Sequence, residues 1–83
     1  MKAKIIWRRR APQGRYVAPA RFTHQDPKTW RMNAWSLAVE LDDTVHFLSP
    51  CAPTSWLKPG ARFELYEGKR VTAIGEIKDN DQI

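Results

Sequence analysis

The sequence predicts an all-β fold, a small closed barrel of about six antiparallel strands, and three observations carry that reading. Apolar residues recur at every second position in several short runs. Turn-forming residues separate those runs at intervals of about 8–12. No stretch of ten or more residues holds the 3.6 period of an amphipathic helix. The 83 residues suffice for one domain, and a chain of that size buries only about 60% of the surface its unfolded form exposes. Unpaired strand edges are a hazard around so small a core, which favours closure of the sheet on itself. The expected domain spans residues 1–77, followed by a polar C-terminal tail at 78–83.

Lys2 to Arg8 holds Ile5, Ile6 and Trp7 and reads as the first strand. Gln13-Gly14 is a turn candidate. Arg15 to Phe22 reads as a strand interrupted at Pro19, because proline has no N–H for a ladder. His24 to Asn33 reads as a loop carrying Trp30. From Ala34 to Leu41 the alternation is clean, with Trp35, Leu37, Val39 and Leu41 on one face and Ala34, Ser36, Ala38 and Glu40 on the other. Asp42-Asp43 makes a turn into Thr44–Leu48, where Val45 and Phe47 oppose His46 and Leu48. Pro50 and Pro53 bracket an irregular stretch, and Lys58-Pro59-Gly60 is a turn. Arg62-Phe63-Glu64-Leu65-Tyr66 and Val71–Ile77 form the best hairpin in the chain, joined through Glu67-Gly68-Lys69-Arg70, where Gly68 is free to take positive φ. Gly75 within the second strand marks a bulge or a close backbone approach. Trp7, Trp35 and Phe63 sit in strand alternation and read as core.

Charge is lopsided. Residues 1–33 hold nine Lys or Arg and one acid, a net of +8, whereas residues 34–83 hold five bases and eight acids, a net of −3. Such asymmetry concerns partners more than fold. Several classes are excluded. No run of about 18 apolar residues is present to span a membrane. The apolar stretch Ile5-Ile6-Trp7 is far shorter than a secretory h-region, so cytoplasmic residence is expected. A single cysteine, Cys51, forms no internal disulfide. With only His24 and His46 beside it, neither a structural zinc site nor a nucleophile–base pair is expected. No phosphate-cradling glycine motif occurs, so no nucleotide cofactor is expected; no second member for a catalytic pair is present and side chains fill so small a barrel, so no enzymatic activity is expected.

The segment Leu57–Ile77 resembles the closing hairpin of the C-terminal β-barrel of translation elongation factor Tu. The matching features are Arg62-Phe63, the acid-glycine turn Glu67-Gly68, Arg70, and Gly75 in the final strand. Lys2–Trp7 is similar to that barrel's first strand, and Gly14-Arg15 with Ala20-Arg21-Phe22 to its arginine-bearing second segment. The likeness covers roughly three-quarters of the chain. It implies a six-stranded Greek-key barrel and, through Glu67 and Gly68, an approach to the tRNA backbone. The family's second turn glycine is Lys69 here, and the family's GTPase domain has no counterpart in these residues, so nucleotide hydrolysis does not carry over.

The candidate nucleic-acid-binding residues are therefore Arg8, Arg9, Arg10, Arg15, Arg21, Glu67, Gly68, Lys69 and Arg70. The basic set, which also includes Lys2, Lys4, Lys28 and Arg31, either neutralises phosphates with salt-sensitive affinity or protects strand edges and keeps the chain soluble. Tyr16, Phe22, Trp30 and Trp56 are candidate stacking platforms, Trp30 and Trp56 being equally readable as a satellite core. Two functions follow. One is a non-catalytic module that binds RNA, either tRNA or the ribosome. The alternative is an adaptor whose basic block meets an acidic partner protein.

Overall fold

A computed structural model describes residues 1–78. Six antiparallel strands form one curled sheet: β1 (Ala3–Trp7), β2 (Tyr16–Phe22), β3 (Trp35–Val39), β4 (Val45–Phe47), β5 (Arg62–Glu67) and β6 (Arg70–Ile77). Their order across the sheet is β1-β6-β5-β2-β3-β4. Strands β2, β3 and β4 follow one another as hairpins, and β5 then returns to lie beside β2, which is the Greek-key arrangement. The two edges of the sheet meet where Lys2 bridges to Thr44. There the Ala3 N–H donates to the Asp43 carbonyl at 3.0 Å and the Val45 N–H donates to the Met1 carbonyl at 2.8 Å. The sheet is thus a curled half-barrel whose rims touch at one short seam.

Alternation decides what enters the interior. Ala3 from β1, Ala18, Ala20 and Phe22 from β2, Leu37 and Val39 from β3, Val45 and Phe47 from β4, Phe63 and Leu65 from β5, and Ala73 and Ile77 from β6 make one cluster. The alanines matter as much as the large residues, since a six-stranded sheet this curled has room for bulky side chains only where small ones face them. Phe22 is the hub, with ring centroids 5.5 Å from Phe63 and 5.9 Å from Phe47.

Trp7 and Trp35, expected in the core, are half-buried against it, and Phe22, a candidate stacking platform, is fully buried. Four further details differ from the sequence-based expectation. Strand β2 runs unbroken through Pro19, which pairs with Ser36 of β3 at a position that β5 has not yet reached; a residue without an N–H is tolerated where a strand is flanked on one side only. Leu41 lies in a turn and is exposed, because β3 ends at Val39 and Asp43 takes φ 67°. The 24–33 loop closes with a 3-10 turn, Trp30–Asn33, that buries Trp30. The bulge falls at Thr72, skipped between the Leu65–Ala73 and Tyr66–Val71 pairs. Gly75 instead supplies the close approach: a Cβ there would lie 2.2 Å from Cζ of the Phe63 ring. Gly68 takes φ 62° in the hairpin turn. Apart from Lys78, the expected tail lies outside the described residues.

Candidate nucleic-acid interface

The antiparallel pairing of β1 with β6 brings the arginine run to the closing hairpin. Trp7 is opposite Ala73, and the next residue extends the ladder, its N–H donating to the Thr72 carbonyl at 2.8 Å. Arg8, Arg9 and Arg10 therefore leave the sheet beside the start of β6, next to the Glu67-Gly68-Lys69-Arg70 turn. The Arg9 Nη1 donates to Glu67 Oε2 at 2.6 Å. The Tyr16 hydroxyl donates to the same oxygen at 2.6 Å. The Tyr16 oxygen also lies 2.8 Å from the Thr72 hydroxyl, which is itself within donating distance, 3.3 Å, of the Leu65 carbonyl. Thr72 is buried, so the bulge turns one residue inward as an anchor for this chain of bonds. The edge of Trp7 on Tyr16, with centroids 5.1 Å apart, holds the phenol in place.

These contacts set the protonation of the turn. The Tyr16 phenol, and then the Arg9 guanidinium, hold the Glu67 carboxyl below its ordinary value. Burial, and then the bond to Glu67, push the Tyr16 phenol up. Glu67 is thus a carboxylate already matched by Arg9. Arg8, Arg10, Lys69 and Arg70 are exposed and make no ion pair within 4 Å among the described residues, although Arg70 adds its charge to the field on Glu67.

Arg31 joins this cluster from the loop side. Its guanidinium stacks over Trp30 at 4.5 Å and Tyr66 at 5.2 Å, and its Nη2 donates to the Gly68 carbonyl. The sequence showed Arg31 as one cation of the basic set. Its neighbours Trp30 and Tyr66 were visible, but nothing local places the 30–33 turn against a strand thirty-six residues on. With Arg8, Arg9, Arg10, Lys69 and Arg70 against Glu67, Arg31 brings the rim to six cations and one acid, a net of +5.

Two candidates lie elsewhere. Arg15 pairs with Glu40 at 2.9 Å, an oxygen that it shares with His46 Nε2 at 2.8 Å. His46 and then Arg15 hold the Glu40 carboxyl down. Arg21 is the most enclosed cation of the set, with its side chain 17% exposed. It pairs with Glu64 at 3.0 Å and donates to the Gln25 carbonyl at 2.9 Å, which makes it a clamp between β2 and β5. Lys2 is tied to Asp42 at 3.2 Å at the seam. The +8 block is therefore dispersed over the barrel, and the part gathered at the hairpin is Arg8–Arg10 and Arg31.

Below Trp30 lies a cleft of about 380 Å³ lined by residues including His24, Thr29, Asn33, Trp35 and Trp56. Trp56 packs its edge against Phe22 at 5.5 Å, and His24 stands against it at 4.4 Å. Trp30 is core-like, 5% exposed, whereas Trp56 is half-buried. Cys51 is exposed, and among the described residues no group of three or more His, Cys, Asp or Glu gathers to hold a metal. Comparisons with protein-family models, curated proteins and solved structures find no match to this chain.

Proposed function

We propose that this chain is a non-catalytic RNA-binding module, contacting tRNA or the ribosome through the arginine rim at the β5–β6 turn. The observation that carries the reading is that Arg8, Arg10, Lys69 and Arg70 crowd one turn while the turn's own acid is neutralised by Arg9. Such a rim offers cations to phosphates at little loss, because no intramolecular ion pair among the described residues has to break. The resemblance of this hairpin to the tRNA-approaching turn of the elongation factor Tu barrel supports RNA as the polyanion. No helix among the described residues is long and apolar enough to cross a membrane, and cytoplasmic residence goes with the RNA partner.

Fluorescence anisotropy with labelled tRNA tests the reading. Four neutralised phosphates give a log–log salt slope of about −3.6 at ~0.9 per contact, or a loss of affinity of about a hundredfold between 50 and 200 mM salt. The double variant Lys69→Glu with Arg70→Glu lowers that slope by about 2. Absence of binding at 50 mM salt, or binding indifferent to salt, refutes the proposal. A stoichiometric acidic protein retained after nuclease treatment, with no tRNA binding, transfers the same cations to the adaptor alternative.

A further inference from the structure

We infer that the cleft between Trp35 and Trp56 takes one unpaired nucleobase of a single-stranded RNA whose backbone continues over Arg31 towards Lys69 and Arg70. This rests on the RNA reading above and adds the class of RNA and a second contact.

The cleft has the character of a ring slot. Its volume of about 380 Å³ lies within the range of small-ligand sites, about 300–1,000 Å³. Two of its lining residues are indoles that are half-buried, so ring surface remains for a ligand. Trp56 is braced by Phe22 and, at 6.5 Å, by Phe47; a braced ring loses little freedom when a base stacks on it. The polar groups suit a base edge. The Asn33 amide and the Thr29 hydroxyl make no hydrogen bond among the described residues, and an amide offers donor and acceptor together. Asp26 also lines the cleft, with its Oδ1 accepting from the Lys28 N–H at 2.7 Å.

The cleft and the charge share one residue. Trp30 lines it and lies under the Arg31 guanidinium, which bonds to the Gly68 carbonyl. A ring slot joined to a cation rim is complementary to a nucleotide, which is a ring attached to a phosphate. Aromatic rings stack on splayed bases, whereas in a duplex those faces are already stacked on one another. The arginine rim alone would not distinguish the two forms of RNA; the cleft does.

The test titrates the full chain with a labelled single-stranded octanucleotide, the same strand annealed into a duplex, and adenosine monophosphate as competitor. Trp35→Ala is expected to weaken the single strand about tenfold to a hundredfold and to leave the duplex within about twofold. Trp35→Phe keeps most of the affinity, because a ring remains. Since Trp35→Ala also removes packing, photo-crosslinking of a 4-thiouridine strand to the wild-type chain gives a second readout, with adducts expected at Trp35 or Trp56. Crosslinks confined to residues 8–10 and 69–70, or equal loss of single strand and duplex in Trp35→Ala, overturn the inference. So does displacement of the strand by millimolar monophosphate, which would make the cleft a free-nucleotide site. If Lys69→Glu with Arg70→Glu weakens both RNAs while the Trp35 variants change neither, this inference fails and the RNA module stands. Absence of binding to either RNA removes both.

Discussion

Replacing Gly75 by alanine perturbs the contact that sets how β5 and β6 lie on each other, and hence where the Glu67–Arg70 turn is held. The added methyl carbon would stand 2.2, 2.5 and 2.9 Å from three atoms of the Phe63 ring. Ordinary contact begins near 3.4 Å, so the ring must retreat by about 1.2 Å. It has nowhere to go, being 1% exposed and packed on Phe22. Overpacking of this severity costs about 3 kcal/mol, against a total stability of roughly 4–12 kcal/mol for a chain of this length. The melting temperature should fall by about 12–24 °C, read by circular dichroism. Phe63→Leu in the same chain makes room, so the double variant should recover at least about 1 kcal/mol relative to additivity. Gly14→Ala serves as control: nothing lies within 4 Å of its added carbon, and a loss of unfolded-state entropy should leave it equal to wild type or up to about 1 kcal/mol more stable. A Gly75→Ala protein melting within about 2 °C of wild type would refute the reasoning.

Arg31→Lys removes the planar stack on Trp30 and Tyr66; a loss of about 1 kcal/mol should lower the melting temperature by about 4–8 °C and alter the near-ultraviolet dichroism of Trp30. Thr72→Val keeps the shape of the bulge but takes the hydroxyl from Tyr16, and should lower the urea midpoint by an equivalent of about 1–2 kcal/mol. Asp42 is held down to about 2, from 3.8, by the Thr44 hydroxyl and N–H and then by Lys2. The folded state therefore binds this proton less readily than the unfolded state, so the contribution is whole above about pH 4 and disappears as pH falls towards 2. In Asp42→Asn the decline of the urea midpoint over that window should be shallower, and an unchanged decline would mean the seam is not held by this carboxylate.

Much of the architecture was legible because strand alternation is local. Leu37, Val39, Phe63 and Leu65 declared their faces by spacing alone, and through their missing side chains Gly68 declared a turn and Gly75 either a bulge or a close approach, of which the structure holds the second. What local pattern could not carry was contact between distant strands. Leu41 continued the alternation of β3 in the sequence, yet the turn at Asp43, needed to bring Val45 back beside Val39, leaves it in solvent. Thr72 carries no mark of a bulge; it becomes one because β6 must keep both the Gly75–Phe63 contact and the turn at Gly68.

The candidate site divides in the same way. Composition and spacing alone established that cations crowd residues 1–33 and that an acid-glycine turn lies near the C-terminus, since both are properties of the chain read in order. Which cations share a surface depends on strand neighbours. The pairing of β1 with β6 sets Arg8, Arg9 and Arg10 beside Glu67, and the docking of the Trp30 turn adds Arg31. The pairing of β2 with β5 encloses Arg21 against Glu64, and the β2–β3 hairpin ties Arg15 to Glu40. Charges act through space over a few ångströms, so an arginine's role was settled by the strand that the order of the sheet laid next to it.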